Sequence, residues 1–285
     1  MTRRLVTGLA LPELMVAMAI GLVLILASTA LLMLTRSTYL LTDDRARVEE
    51  SGRYALDILS QAVRQAGYRD WSMAGAVDAG WPAVTGLDAR SLRDASDGMA
   101  GPYDASVNGS DALALRFDGN APGSGDTAMK NCAGVSVPAD EPGAGWSIFY
   151  VDNDSIGEPE LRCKYRSGSG WNSDALVRGV DGFQVLYALD SDPVDNAPRR
   201  YMNASAVALA PDGWRRVSAL KVALLVRGSQ AGPARSRRYD LFGADDVDAA
   251  DSGVRIEEDR LPEASRGLLR RIYTATIFLR NRNGS

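Results

Sequence analysis

Hydrophobic residues are concentrated near the start of the chain. Residues 14–35 form an uncharged, largely apolar run. At about 1.5 Å per helical residue this run spans roughly 33 Å, enough to cross the hydrocarbon core of a bilayer. Arg3 and Arg4 precede it, and positive charge before a membrane helix favours a cytoplasmic amino terminus. The pattern predicts a membrane helix, with everything after Arg36 on the periplasmic or extracellular side.

Beyond this run the apolar residues become periodic. They recur near helical spacing, separated by charged residues, at Val48, Ala55, Leu59, Ala62, Val63 and Ala66. This spacing favours an amphipathic helix whose apolar stripe packs on a globular domain. We therefore predict one helix over residues 9–66. Gly67 fits its end, because glycine readily adopts the left-handed conformation found there.

The remainder predicts loops followed by strands. Residues 67–111 are rich in Gly, Asp, Ser and Pro and predict a long loop with a short helix near 89–94. Apolar alternation predicts strands at 113–117, 146–150, 161–165, 183–189, 220–226 and 271–279. Intervening polar residues predict one solvated sheet face, and the last segment, apolar on both faces, predicts a central strand. The fold class is α+β, a long helix packed against a mainly antiparallel sheet.

A single carboxylate, Glu13, stands at the start of the apolar run. Isolated in lipid it would cost several kcal/mol or stay protonated, so a nearby cation is expected. A secretory signal cleaved near Ser28 to Ala30 is an alternative, but apolar residues continue through Leu34. Neither that signal nor a plain uncleaved anchor accounts for Glu13.

The segment GLALPELMVAMAIG, from Gly8 to Gly21, resembles the start of type IV prepilins, in which a short basic leader ends in glycine. The resemblance implies that a prepilin peptidase cuts between Gly8 and Leu9 and methylates the new amino group. It further implies that Glu13 pairs with the amino terminus of a neighbouring subunit during assembly. A pairing of Glu13 with Leu9 of the same chain remains open, since they lie four residues apart.

Two residues depart from the prepilin pattern. Leu9 stands where Phe or Met is more usual, and Pro12 stands where a branched aliphatic residue is common. Pro12 is tolerable because the first four amides of a helix have no internal partner.

Four later segments resemble PilW-type minor pilins. They are AGYR at 66–69, GFQVLYALD at 182–190, RVSALKVALLVRG at 216–228 and IYTATIFLRNR at 272–282. The resemblance implies a role in initiating type IV pilus assembly and in the pilus tip complex, adhesion and twitching motility. Implied partners are other minor pilins, the major pilin, the inner-membrane assembly platform and a tip adhesin. The nearest rival is the GspJ-like minor pseudopilin of type II secretion.

The resemblance also implies a domain plan and a location. Residues 1–8 would be the leader, 9–35 the membrane and filament-core half of the helix, 36–66 its amphipathic half, and 67–285 the periplasmic domain. The protein would sit in the inner membrane by one helix before it enters a surface pilus. The different-class alternative is a membrane-anchored binding module, for which Glu13 would be dispensable.

Composition changes this picture little. The 285 residues suffice for one globular domain beyond the anchor. A net charge of −4 implies no general attraction to nucleic acid. The absence of histidine excludes Ser–His and Cys–His nucleophile pairs and most zinc sites. We expect no enzyme activity, no cofactor and no metal.

The chain has two cysteines, Cys132 and Cys163. In an oxidising periplasm they predict one disulfide, which would stabilise the fold by about 3 to 4 kcal/mol. The alternative is a pair of buried free thiols.

Other clusters of charge favour ordinary surface roles. Residues 152–157 begin like a calcium loop, but Ile156 and Cys163 occupy ligand positions. Acidic residues between 190 and 195 and between 245 and 251 predict solvated loops. Basic residues could converge into a DNA-binding patch of a DNA-uptake pilin, a minority interpretation because acids are interleaved. They are Arg199, Arg200, Arg215, Arg216, Arg235, Arg237 and Arg238.

Overall fold

A computed structural model describes residues 11–69, 81–103, 106–120, 129–139, 145–168, 170–190, 201–232, 237–243 and 251–281. The chain divides into two compact units, Met1–Ala46 and Arg47–Ser285. Helix α1 (Leu11–Gln65) contributes its first part to one unit and its second part to the other. Pro12 lies in the first described turn of α1.

The helix ends at the predicted position. Gly67 has a φ of +74°, and a Cβ there would lie 2.2 Å from the carbonyl oxygen of Asn281. Glycine is therefore required both by the left-handed conformation and by the close approach of the chain. The side-chain amide of Asn281 donates to the carbonyl groups of Arg64, Gln65 and Ala66 at 3.3 to 3.5 Å. It thus supplies partners for carbonyls that the helix leaves free.

Two antiparallel sheets make up most of the second unit. The first sheet consists, in spatial order, of β1 (Val84–Leu87), β2 (Ala112–Phe117), β3 (Gly145–Asn153), β4 (Pro159–Ser167) and β5 (Gly170–Arg178). The second contains β6 (Val180–Leu189), β7 (Tyr201–Met202), β8 (Val217–Ala231) and β11 (Leu268–Phe278), in the order β11-β8-β6-β7. Strands β9 (Arg238–Asp240) and β10 (Arg255–Glu257) pair separately, and helix α2 (Ala204–Leu209) precedes β8. The predicted α+β class is confirmed.

The main core joins the second part of α1 to both sheets. Ala55, Leu59 and Val63 of α1 are completely buried in it. The first sheet contributes Leu113, Leu115, Phe149, Val151, Leu161 and Val177, and the second Phe183, Val185, Leu220, Val222, Leu224 and Ile277. Burial of this apolar surface is the main force that holds the helix against the sheets.

A buried carboxylate connects the two sheets. Asp111, just before β2, accepts hydrogen bonds from the backbone amides of Ala89 at 3.0 Å and of Val185, in β6, at 2.9 Å. Burial raises the pKa of Asp111 well above its usual value, while these two bonds act in the opposite direction. Its oxygens satisfy amides that the strand ladders do not reach.

The predicted short helix at 89–94 is wrong. Ala89 has a φ of +49°, which is left-handed, and Ser91 exchanges backbone hydrogen bonds with Tyr103 at 3.1 and 3.0 Å. Tertiary pairing therefore overrides the local preference for a helix. The predicted loop over 67–111 also contains strand β1, which is short and flanked by turn residues.

The last strand lies at the end of its sheet, so the predicted central position is wrong. Among the described residues β11 pairs only with β8. Its apolar residues fall on both faces because Tyr273 and Ile277 join the main core, whereas Ile272 packs against a second cluster around Leu225 and Ile256. Burial on two faces was thus misread as a central place in the sheet.

The predicted solvated face of the first sheet is wrong at its centre. The face away from the main core, which we call the outer face, carries the cross-strand row Ala114, Ile148, Lys164 and Ser173. Lys164 is completely buried, because residues 91–99 lie over this face and Leu92 packs on Ile148 and Tyr150 in a small cluster. The Lys164 side chain therefore faces protein groups rather than water, whereas Arg116, Arg162 and Arg166 on the same face stay partly exposed.

One aromatic contact fixes α1 against β11. A Cβ on Gly52 would lie 2.3 Å from the ring of Tyr273, so the ring lies directly on the helix backbone. The Tyr273 hydroxyl donates to the carbonyl of Val48 at 3.0 Å and contacts the carboxylate of Glu49 at 3.2 Å. Burial raises the pKa of Tyr273 to about 12, and the nearby Glu49 charge adds to that rise. Arg271 completes the contact with an ion pair to Glu49 at 2.6 Å.

We predict that Gly52→Ala destabilises the second unit by about 2 to 4 kcal/mol, because the new methyl group displaces the Tyr273 ring from the core. Thermal unfolding of the full chain in detergent, followed by near-ultraviolet circular dichroism, measures this. The matched control is Gly21→Ala on the same helix, where a Cβ meets nothing within 4 Å. Equal melting temperatures for the two variants would contradict the role of Gly52.

Candidate functional site

The first unit presents an apolar helix surface without protein cover. From Leu11 to Leu41 the large apolar side chains are exposed, for example Leu32 and Met33 at 72%. Among the described residues α1 is the one helix long and apolar enough to cross a membrane, and none of its most apolar stretch is buried. A contiguous apolar surface of this size requires lipid or other protein around it.

The serine and threonine side chains within this surface are satisfied by the helix itself. Each serine and threonine between residues 11 and 42 donates a hydrogen bond of 2.7 to 2.9 Å to a carbonyl three or four residues earlier. They are Ser28, Thr29, Thr35, Ser37, Thr38 and Thr42. Because hydroxyls paired in this way need no water, the surface is compatible with a lipid interior.

Glu13 lies in the first turn of α1 and is exposed. The structure therefore places the acid at the end of the apolar surface, where it can face a neighbouring molecule. Gly8 and Leu9 lie outside the described residues, so their role in processing stays a prediction.

Cys132 and Cys163 are joined by a disulfide, with their Cα atoms 5.9 Å apart. The bond attaches the segment 129–139 to strand β4. The backbone amide of Cys132 also donates to the Ser147 hydroxyl at 3.0 Å, which ties the same segment to β3. The disulfide thus holds a long connection against the first sheet.

The other predicted charge clusters have structural partners or lie outside the described residues. In the calcium-like loop, one carboxylate oxygen of Asp154 accepts the amides of Ile156 and Glu158 at 2.9 Å, closing the turn between β3 and β4. Among described residues no group of three His, Cys, Asp or Glu side chains is arranged to hold a metal ion. Asp192, Asp195, Asp245, Asp246 and Asp248 lie outside the described residues.

Two of the basic residues in the predicted DNA-binding patch have partners within the chain. Arg216 donates to the carbonyl of Asp190 at 2.7 Å, and Arg238 pairs with Asp240 at 2.8 Å. Arg199, Arg200 and Arg235 lie outside the described residues. The geometry therefore adds no support to the DNA-binding interpretation.

Sequence reasoning missed a cluster on the outer face. The Lys164 ammonium donates to the carbonyl of Arg93 at 2.7 Å and to the Ser96 hydroxyl at 2.8 Å. It also lies 5.4 Å from the centre of the Trp171 ring. Burial lowers the pKa of Lys164 to about 8. The alternation of β4 marked this lysine as surface-facing, and only the path of residues 91–99 reveals otherwise.

The structure thus combines one helix that is long and apolar enough to cross a membrane with a unit of antiparallel sheets. Residues 148–281, slightly less than half of the chain, match the family model described as type IV pilus-assembly protein W. The match confirms the resemblance to PilW-like minor pilins. That family is associated with the type IV pilus and is structural rather than enzymatic.

Comparison with solved structures gives a type IV-like pilin from Thermus thermophilus, with 16% sequence identity and a TM-score of 0.39. The alignment covers 85% of this chain and 97% of that one. Comparison with curated proteins gave no match.

We predict that replacing both cysteines by alanine lowers the free energy of unfolding by about 3 to 4 kcal/mol, because the bond closes a medium-length loop in the unfolded chain. Urea unfolding of the full chain in detergent measures the change. Wild-type protein treated with dithiothreitol is the control and should lose a similar amount. Two thiols reactive in denatured, unreduced wild type would contradict the disulfide.

We predict that the lowered pKa of Lys164 makes stability depend on pH in the alkaline range. Between about pH 8 and pH 10 the folded chain loses this proton while the unfolded chain keeps it, so stability rises with pH. Relative to Lys164→Met, the wild type should gain on the order of 1 to 3 kcal/mol across this range. Chemical unfolding at several pH values measures it, and a constant difference between the two proteins would contradict the prediction.

Proposed function

We propose that the chain is a minor pilin that initiates assembly of the type IV pilus and takes a place in its tip complex. The observation that carries this proposal is the exposed apolar surface of α1 with Glu13 in its first turn. The match of residues 148–281 to the pilus-assembly family supports it. Adhesion and twitching motility would follow from the pilus that the complex primes.

The first step is insertion and processing. Arg3 and Arg4 keep the amino terminus cytoplasmic, and residues 9–35 cross the inner membrane. A prepilin peptidase removes residues 1–8 and methylates the amino group of Leu9. The remaining chain, with the disulfide between Cys132 and Cys163, lies in the oxidising periplasm, where such bonds persist.

The second step is docking through Glu13. In lipid an ionised carboxylate is unfavourable by several kcal/mol unless a cation lies beside it. The methylated amine of a neighbouring subunit supplies that cation, so association lowers the free energy of both charges. Pairing with the chain's own amino terminus would compete, and assembly would exchange one partner for the other.

The third step is packing of the apolar helix among other helices. Lipid tails are as apolar as the side chains of a neighbouring helix, so this transfer depends on close packing rather than on the hydrophobic effect. Gly21 lies midway along the surface, and space around its Cα is open. A neighbouring backbone can therefore approach closely at this position, next to other minor pilins or the major pilin.

Processing is tested by mass spectrometry of the mature amino terminus after purification from membranes. We predict a chain that begins at Leu9 and carries one methyl group. In a strain without the prepilin peptidase the terminus should retain residues 1–8. A mature protein that begins before Gly8, or near residue 30, would contradict the proposal.

The role of Glu13 is tested by Glu13→Ala and Glu13→Gln strains scored for surface pili and twitching. We predict a loss of about tenfold or more in piliation, because the subunit loses the partner of the neighbouring amine. Glu50→Gln is the matched control, since Glu50 is exposed on the same helix outside the apolar segment. Membrane levels of all three variants should equal the wild type.

Two outcomes of these strains would redirect the proposal. Full piliation in Glu13→Ala would favour an anchored binding module, for which the acid is dispensable. Normal pili combined with a loss of type II secretion would identify a minor pseudopilin instead.

A further inference from the structure

Two tryptophans and two arginines occupy neighbouring positions at one end of the outer face. Arg116 in β2 pairs with Trp146 in β3, and Arg166 in β4 pairs with Trp171 in β5. Trp146 lies two residues before Ile148 in β3, and Arg166 lies two residues after Lys164 in β4. Ile148 and Lys164 form a cross-strand pair, so Trp146 and Arg166 are on the same face as that pair. The four side chains therefore form a row of alternating cationic and aromatic groups across four strands.

Two contacts hold the tryptophan side chains of this row in place. The guanidinium of Arg116 lies 4.4 Å from the centre of the Trp146 ring. The indole N–H of Trp171 donates to a carboxylate oxygen of Asp97 at 2.9 Å. Both contacts restrain the rings, because cation–π attraction and a charged hydrogen bond favour one orientation. The two indoles thus present fixed surfaces.

The two indole rings pack edge to face. Their ring centres lie 5.6 Å apart and their planes cross at 71°. The segment over the outer face passes the rings at Gly98, whose φ of +50° lies in the left-handed region that favours glycine. Both tryptophans retain partly exposed surface.

A cavity of about 500 Å³ opens beside the two indole rings. It is lined by Ala95, Asp97, Trp146, Arg166, Gly170 and Trp171. This volume lies within the range of small-molecule sites, and the lining has the usual composition of such sites, aromatic walls with a few polar groups.

We propose that this cavity binds a pyranose saccharide. The ring face of a pyranose carries C–H groups with partial positive charge, which complement the negative face of an indole. Its hydroxyls need both acceptors and donors, and the Asp97 carboxylate and the Arg166 guanidinium supply one of each at the same cavity. A purely apolar ligand would desolvate both charged groups at a cost in free energy.

The site is independent of the assembly helix. Every lining residue lies in the second unit, and none belongs to α1. A saccharide site would give the globular unit a ligand on a cell surface or in the cell wall, whatever role the helix has. Failure of the saccharide proposal therefore leaves the pilus proposal intact, and the converse also holds.

The test uses the full chain in lauryldimethylamine oxide, a detergent without a sugar head group. Cellotriose and chitotriose serve as probes in saturation-transfer difference NMR, with tryptophan fluorescence as a second readout. We expect saturation transfer to ring C–H protons and a fluorescence change for at least one sugar. Trp171→Ala should weaken binding about tenfold through loss of one stacking surface.

Matched variants separate a binding effect from a folding effect. Trp171→Phe keeps an aromatic surface and should retain part of the affinity, and Asp97→Asn should weaken binding while still accepting the Trp171 hydrogen bond. Tyr54→Ala removes an exposed aromatic side chain elsewhere and should leave affinity unchanged. Thermal unfolding of each variant reports whether the second unit remains folded.

Three results would overturn the proposal. The first is no saturation transfer for either sugar with the folded wild type. The second is binding that persists unchanged in a folded Trp171→Ala variant, which would place it elsewhere. The third is oligothymidylate, but neither sugar, quenching Trp171 fluorescence, which would indicate a single-stranded nucleic acid site.

Discussion

The second unit depends on the burial of α1 between two sheets. Ala55, Leu59 and Val63 are fully buried, and residues of both sheets meet them in one core. Helix α2 adds Ala204 and Val207 to this core, but α1 is the one long helix among the described residues. The helix is therefore a surface that both sheets share, and the Tyr273 ring against Gly52 fixes the position of β11 on it. Since α1 is continuous from Leu11 to Gln65, the same element carries the fold and the apolar surface.

Much of this architecture could be predicted from the sequence, because its signals are local. Helical spacing from Val48 to Ala66 and a glycine after it define the end of α1. Clean alternation identifies β2, β3, β4, β6 and β8. Strand β5 was missed because five of its nine residues are exposed and its apolar residues do not alternate regularly. The position of β11 in its sheet was misjudged because a second cluster packs on its other face. The strand therefore has apolar residues on both faces, as a central strand does.

The functional residues also differ in whether a local sequence signal reveals them. Glu13 could be identified because its signal is local. A single acid next to a long apolar run is unusual, and a short stretch of sequence is enough to show it. The contact of Tyr273 with Val48 joins residues 225 positions apart, and no local signal announces it. The row from Arg116 to Trp171 can be recognised only when the register of four strands is known. Lys164 is recognised as buried only when the path of residues 91–99 over the outer face is known.

The two units differ in what they require from their surroundings. The second unit buries its own apolar residues and supplies hydrogen bonds to buried polar groups such as the Asp111 carboxyl. The first unit leaves a continuous apolar surface that water cannot solvate favourably. Lipid and neighbouring helices satisfy such a surface almost equally, so apolar contact alone gives little preference for a filament over a membrane. Under the proposed function the preference must come from a polar contact, and Glu13 is the carboxylate placed to supply it. The ion pair would then decide where the helix resides, while the apolar residues make both environments accessible.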